Sequence, residues 1–407
     1  MELRIDQLVY GGSGLARTED GRVALIPFTL PGETVEIESL TYKNNIYTSF
    51  PSLIKVAHSL RVNPPCPYYM HCGGCHYQHM TYDAQLTTKK IILMEQLGRI
   101  AGNVQTVVEN TTASNKTFNY RNHVQFHLDS EGKPGFQMAS SHDVVPVTNC
   151  LLLEDSLNAL LPSLSFEPHT GLQRIALRDD GMGDPLLFLT GNTINPPEFE
   201  VDFPLNVVYR GPAGDMILSG EGYNVFSMLG REFKVSAGSF FQINRSIAEK
   251  IINLLLQVVD QEQYPTILDC YCGVGLFSAF LAERTNRLIG IESSEDACAD
   301  FTVNLDRYDA IELYQGNVEV VLPNLDIHPG LVIVDPPRAG IAPAAIRALI
   351  KCHPRKIFYV SCDPSTLARD SKILTGSGYQ IDSITPLDMF PQTYHIETVT
   401  VLSVQET

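Results

Sequence analysis

From the N-terminus to about residue 56 the chain alternates short apolar runs with turn signals, Gly11-Gly12-Ser13-Gly14, Asp20-Gly21 and Pro31-Gly32. That spacing predicts a small barrel of short strands. Residues 57–235 mix cysteines and prolines with alternating strands such as His123–Leu128, and 196–235 read as strands broken at Gly211-Pro212 and Gly220-Glu221-Gly222. The pattern changes at Ser239. An amphipathic helix is expected near Ser246–Val259, then a strand at Thr266–Cys270, a glycine-containing turn, and helices alternating with strands through Ile291, Leu313, Val334 and Val360. Such alternation predicts an α/β fold, a parallel sheet covered on both faces. Ile381–Leu387 and Thr398–Ser403 follow one another without a helix between them, so an antiparallel hairpin is expected at the sheet edge. The chain thus divides into 1–56, 57–235 and 236–407.

Composition narrows the class. With 44% apolar and 18% charged residues among 407, the chain reads as globular and soluble. Met1–Asp6 lacks the character of a signal peptide and no apolar run reaches membrane-spanning length, so a cytoplasmic protein with no membrane partner is expected. Nine cysteines without an export signal argue for metal or catalytic roles over a disulfide framework. The net charge of −17 falls on 121–407, since 1–120 is balanced. Any face for a polyanion must therefore be local.

Three sets of residues carry candidate chemistry. Cys362, in Val360-Ser361-Cys362-Asp363-Pro364, lies between an apolar strand and a helix start, where unpaired N–H groups and the helix dipole favour thiolate. An inert packing thiol is the competing reading. The loop Asp269-Cys270-Tyr271-Cys272-Gly273-Val274-Gly275 closes the first strand of the alternating region, Glu292 ends the second, Asn317 follows the third, and Asp335-Pro336-Pro337-Arg338 follows the fourth. Gly273 and Gly275 would let the backbone approach a nucleoside, and Glu292 is placed for its ribose hydroxyls. A dinucleotide fold uses the same acid, but the three-glycine spacing is missing. Cys66, Cys72 and Cys75, with Cys150 further on, suit a four-thiolate metal site. Zinc and an iron–sulfur cluster stand level on the residues alone, with His71, His76 or His79 able to replace Cys150. Cys270, Cys272, Cys298 and Cys352 have no ligand spacing and read as packing residues.

Taken together these motifs, with Tyr394-His395-Ile396-Glu397-Thr398 downstream, resemble the RNA uracil-5 methyltransferase family over most of the chain. Val9–Arg17 and Ile26–Glu33 look like a TRAM domain, an OB-like RNA-binding barrel. The resemblance implies a Rossmann-like class I methyltransferase domain at 236–407, the TRAM barrel at 1–56 and a central α+β iron–sulfur domain at 57–235. It implies S-adenosylmethionine held by Gln242, Tyr271, Gly273, Glu292, Asn317 and Asp335, and a 4Fe-4S cluster on Cys66, Cys72, Cys75 and Cys150. It further implies that Cys362 adds to carbon 6 of uracil and that Glu397 removes the carbon 5 proton, with His395 a rival base. The combination of TRAM and cysteine motif looks more like the 23S ribosomal RNA branch than the bacterial tRNA branch. An RNA substrate, no DNA and a monomer are expected. The alternatives are a tRNA enzyme, a cytosine enzyme and an RNA-binding iron–sulfur protein without turnover. Methylation of an exocyclic amine is disfavoured, because Asp335-Pro336-Pro337-Arg338 replaces the Asn-Pro-Pro-aromatic pattern of those enzymes.

Overall fold

Every second residue of the opening segment turns inward: Leu3, Ile5, Ala16, Ala24, Ile26 and Val35 form one small apolar core. In the computed structural model, which describes residues 1–102, 108–139, 141–168, 170–197 and 203–405, this core belongs to a seven-stranded sheet. Its strands are β1 (Glu2–Leu8), β2 (Ser13–Arg17), β3 (Val23–Pro27), β4 (Thr34–Glu36), β5 (Thr41–Lys43), β6 (Ile46–Thr48) and β7 (Leu53–Val56), in the order β5-β6-β3-β2-β1-β4-β7. A register shift between Ile5 and Gln7 divides β1, whose first half pairs with β4 and whose second half pairs with β2.

A helix, α1 (Tyr82–Ala101), comes next. The sequence reading has no helix here, because polar Gln85, Lys89 and Gln96 share the buried face with Ile92, Leu93 and Leu97 and blur its apolar stripe. The second sheet holds β8 (His123–Leu128), β9 (Pro134–Gln137), β10 (Val144–Pro146), β11 (Leu172–Arg178), β12 (Leu186–Gly191), β13 (Asn206–Gly211) and β14 (Gly214–Ser219), in the order β10-β9-β8-β11-β12-β13-β14. A short helix, α2 (Asp155–Leu160), adds Leu157 to its core. Within the strand-like stretch 196–235, positions 198–202 lie outside the described residues. A hairpin, β15 (Tyr223–Met228) with β16 (Arg231–Ser236), puts Phe226, Met228, Phe233 and Val235 into the core of the C-terminal unit.

That unit opens with α3 (Arg245–Gln261), which buries Ile247, Ile251, Leu255, Val258 and Val259 along one stripe as the periodicity requires. Its sheet contains β17 (Thr266–Cys270), β18 (Arg287–Glu292), β19 (Ile311–Gln315), β20 (Leu331–Val334), β21 (Lys356–Ser361), β22 (Tyr379–Leu387) and β23 (Glu397–Val404). Between them run α4 (Leu276–Leu281), α5 (Glu295–Asn304), α6 (Val318–Val321), α7 (Pro343–Lys351) and α8 (Pro364–Thr375). The strand order is β19-β18-β17-β20-β21-β23-β22, parallel except for β22 and β23, which pair antiparallel as the missing helix between them demands. The order reverses at β17, so the carboxyl ends of β17 and β20 open a crevice there. No helix among the described residues is long and apolar enough to cross a membrane.

Candidate active site and cysteine cavity

β21 and β23 bring two of the expected site residues together. Ser361 pairs with Thr398 in the antiparallel register, so the next residue on one strand, Cys362, and the preceding residue on the other, Glu397, emerge side by side at the same sheet end. Glu397 is 6% exposed. Burial, then the charge of Asp335, push its carboxyl well above the ordinary range, against the pull of Arg338. The Cys362 thiol is pushed up to about 12, by burial first and then by Glu397, Asp335 and Asp363, again opposed by Arg338.

This reverses the expectation that the helix start favours thiolate. The free N–H groups of α8 are already taken: Asp363 Oδ1 accepts from Ser365 N at 2.8 Å and from Thr366 N at 3.1 Å. A capping carboxylate stands where the sequence suggested open donors for the thiol. Arg338 is the cation that opposes both upward shifts, and no role was assigned to it from the sequence. Its place after Pro336-Pro337 was the available signal.

His395 is half-buried and packs against Tyr394 and Phe390, with Arg338 Nη2 3.2 Å from its Nε2. Burial and that guanidinium lower its pKa to about 3. Protonation there would set two cations together.

Of the expected cofactor residues, Tyr271 and Gly273 follow the end of β17, Glu292 ends β18 and Asp335 follows β20. Tyr271 and Gly273 take left-handed backbone angles, φ 63° and 54°. Gly273 N donates to Glu292 Oε2 at 3.0 Å, and Glu292 Oε1 accepts from Ser293 N and Ser294 N, so the loop after β17 is tied to the acid that ends β18. The two glycines differ in use. A Cβ on Gly273 would meet nothing within 4 Å, leaving room for a ligand, whereas one on Gly275 would lie 2.3 Å from Leu305 Cδ1. Gly275 therefore also serves the close packing of the loop on α5, a role the sequence reading did not give it. Asn317 is exposed at the start of α6 and its side chain makes no capping bond. Gln242 is half-buried, its carbonyl accepting from Asn122 Nδ2 at 3.1 Å. Asp335 is raised to about 7 by burial and the neighbouring Asp269.

Asp269 was read from sequence only as a strand end. It is wholly buried, Ser278 Oγ donates to its Oδ2 at 2.6 Å, and its Oδ1 has no partner among the described residues. Burial raises it to about 7. A buried carboxylate oxygen without a donor, on β17 where the strand order reverses, fits a ligand that brings hydrogen-bond donors or positive charge. S-adenosylmethionine carries both.

Cys66, Cys72, Cys75 and Cys150 line one cavity, with Tyr68, Gln78 and Arg121 around it. None is in a disulfide. Burial raises Cys72 to about 11, Cys75 to about 12, and Cys150 in the same direction. Among the described residues, no three His, Cys, Asp or Glu side chains are grouped to hold a single metal ion. His79 has both ring nitrogens engaged, by Tyr69 Oη at 2.7 Å and Thr29 O at 3.3 Å, and His76 packs against Tyr394. Cys270, Cys272, Cys298 and Cys352 are buried.

The tRNA (uracil-5-)-methyltransferase family model matches residues 202–321 and 319–405, and the TRAM domain model matches residues 1–38. An RNA methyltransferase of Aquifex aeolicus (strain VF5), not further characterised, is 32% identical over 100% of this chain and 99% of its own. The chain belongs to the RNA (uracil-5-)-methyltransferase family. A second such relative, from Thermotoga maritima, is 32% identical over 98% of each chain. The crystal structure of Pyrococcus abyssi tRNA (uracil-54, C5)-methyltransferase in complex with S-adenosyl-L-homocysteine superimposes with a TM-score of 0.76 at 26% identity, over 99% of this chain and 100% of that one. This uracil-5 methyltransferase is thus an S-adenosylmethionine-dependent enzyme acting on RNA, with a TRAM domain at its N-terminus.

Proposed function

We propose that the protein methylates carbon 5 of a uridine in RNA through a covalent bond between Cys362 Sγ and carbon 6, with Glu397 taking the carbon 5 proton. The observation that carries this is the β21/β23 register, which sets a thiol and a buried carboxyl next to each other where the sheet opens. Carbon 5 of uracil is too weak a nucleophile to be methylated unaided. Addition of the Cys362 thiolate to carbon 6 forms a C–S bond and moves an electron pair toward carbon 5. Bound S-adenosylmethionine supplies the methyl group that carbon 5 takes up. Glu397 then accepts the carbon 5 proton, the C–S bond breaks, and Cys362 leaves as thiolate. A buried carboxylate is a stronger base once ionised, whereas His395 beside Arg338 is a poor place for a proton.

We assign the cofactor crevice to Gln242, Tyr271, Gly273, Glu292, Asn317 and Asp335, and add Asp269. Cys66, Cys72, Cys75 and Cys150 would hold a 4Fe-4S cluster. Four thiols spread around a cavity suit a polynuclear group better than a single zinc ion. Such a cluster would cross-link the loop, since no step above transfers electrons. Residues 1–56 are read as an OB-like barrel, with β1 shared between its two halves, and 57–235 and 236–407 as the central and methyltransferase domains. The reading takes the protein as a cytoplasmic monomer.

Ribosomal RNA is the proposed substrate and tRNA the second reading. The first rests on the combination of TRAM domain and cysteine motif; the second is supported by the full-length likeness to the Pyrococcus abyssi tRNA enzyme. The test is incubation with S-adenosylmethionine and total RNA carrying 5-fluorouridine. Fluorine cannot leave as a proton, so a covalent protein–RNA band is expected, absent in Cys362→Ala, and sequencing its RNA separates rRNA from tRNA. No band despite retained S-adenosylhomocysteine binding would overturn the adduct mechanism.

A further inference from the structure

The N-terminal unit reaches the chain neighbours of the two proposed catalytic residues. Tyr10, in the turn between β1 and β2, donates its hydroxyl to Asp363 Oδ2 at 2.9 Å across 353 residues of sequence. Asp363 directly follows Cys362, and its other oxygen caps α8 through Ser365 N and Thr366 N. Its main chain is bracketed by Ser361, whose Oγ lies 3.2 Å from Asp363 O and 3.4 Å from Asp363 N. Tyr10 also packs edge-on against Tyr394, ring centroids 5.5 Å apart. On the other catalytic strand, Ile396, the residue before Glu397, is buried in one cluster with Leu8 and Leu30 of the N-terminal segment and with Tyr77, Met80 and Ile92. Both catalytic residues therefore have a chain neighbour held by the N-terminal unit.

We infer that Tyr10 is a positioning residue for the nucleophile, fixing the Asp363 carboxylate so that the Cys362 backbone is held in place for attack. This rests on Cys362 being the nucleophile, as proposed above. Three donors share the Asp363 carboxylate, and removing the phenol hydroxyl frees one oxygen. That oxygen can then rotate, and its charge, which already opposes thiolate formation at Cys362, is no longer spread into a hydrogen bond. The groups acting on that thiol are Glu397, Asp335, Asp363 and Arg338, so one carboxylate made less well solvated shifts a balance that holds a single opposing cation. The N-terminal unit thereby acts on the chemical step.

Tyr10→Phe keeps the ring and removes only the hydroxyl. Single-turnover adduct formation on 5-fluorouridine RNA is expected to slow on the order of tenfold, with RNA Kd and Tm close to wild type. Asp363→Ser retains one capping oxygen and is too short to reach Tyr10, so adding Tyr10→Phe to it should cost little more. Wild-type adduct rates in Tyr10→Phe, a loss confined to RNA affinity, or fully additive effects in the double variant would each overturn the inference while leaving the adduct mechanism standing. Adduct that persists in Cys362→Ala would overturn both.

Discussion

Lys89 Nζ lies 2.5 Å from Asp388 Oδ1, and both side chains are wholly buried. The pair joins α1 to the segment 388–396 that leads into Glu397, and the same ammonium donates to Phe390 O at 3.0 Å. Gln85 completes the attachment, its amide giving to and taking from Gln392, whose backbone is left-handed at φ 69°. Helix α1 is thus the clamp on the loop before the proposed base.

Breaking that pair from one side strands a charge in the interior. Lys89→Met should lower unfolding free energy by about 3–5 kcal/mol, read by urea titration. Lys89→Met with Asp388→Leu should recover a large part of it, because the apolar replacement leaves no buried charge. A double variant no more stable than the single one would place the cost in lost packing.

The four-cysteine cavity makes a separate prediction. Protein purified without oxygen should contain about four iron atoms and absorb near the visible thiolate-to-iron range, and Cys72→Ser or Cys150→Ser should lose iron together with thermal stability. One zinc per chain by elemental analysis would replace the cluster reading.

Asp269 links cofactor binding to pH. Its folded pKa of about 7 stands above the ordinary 3.8, so between these values the folded chain binds more protons than the unfolded one. The acid's contribution is favourable at low pH and is lost as pH rises through about 7. Wild-type stability measured against Asp269→Asn should therefore fall between pH 4 and pH 7 and level off above. S-adenosylmethionine affinity should drop in the variant, by calorimetry, since the unpartnered Oδ1 becomes a donor. A flat stability difference across that range would show Asp269 ionised in both states.

Much of the architecture was legible because strand and helix periods are local. The alternation after Ser239 predicts the parallel sheet, and the absence of a helix between Ile381–Leu387 and Thr398–Ser403 predicts the hairpin that β22 and β23 form. Cys362 and Glu397 were singled out by motif, but the β21/β23 register that sets them side by side was not legible. What stayed hidden depends on pairs far apart in sequence: Lys89 with Asp388, Tyr10 with Asp363, and Asp269 with its missing partner. The thiol's environment was misread for the same reason, since a helix start predicts donors only until a cap such as Asp363 takes them. Composition showed α1 no better, because its buried polar residues serve partners about 300 positions away.

The chemical step itself carries a sign. Glu397 must be ionised to accept a proton, yet burial and Asp335 raise its pKa well above the ordinary carboxyl value, and Asp335 itself sits at about 7. Activity should therefore rise with pH, with kcat/KM for RNA falling on the acid side of a limb displaced above the ordinary carboxyl range. Asp335→Asn removes the like charge, so its acid limb should move to lower pH even if cofactor affinity weakens. Glu397→Gln removes the base but leaves addition and methyl uptake possible, so it should accumulate a methylated Cys362 adduct on ordinary uridine RNA, stable to denaturing gel and detectable by mass. An Arg338→Gln variant should do the reverse of Asp335→Asn, shifting the acid limb of the profile upward, because the guanidinium is the cation that opposes the rise at both Cys362 and Glu397. A Glu397→Gln enzyme that turns over normally would hand the base role to another group.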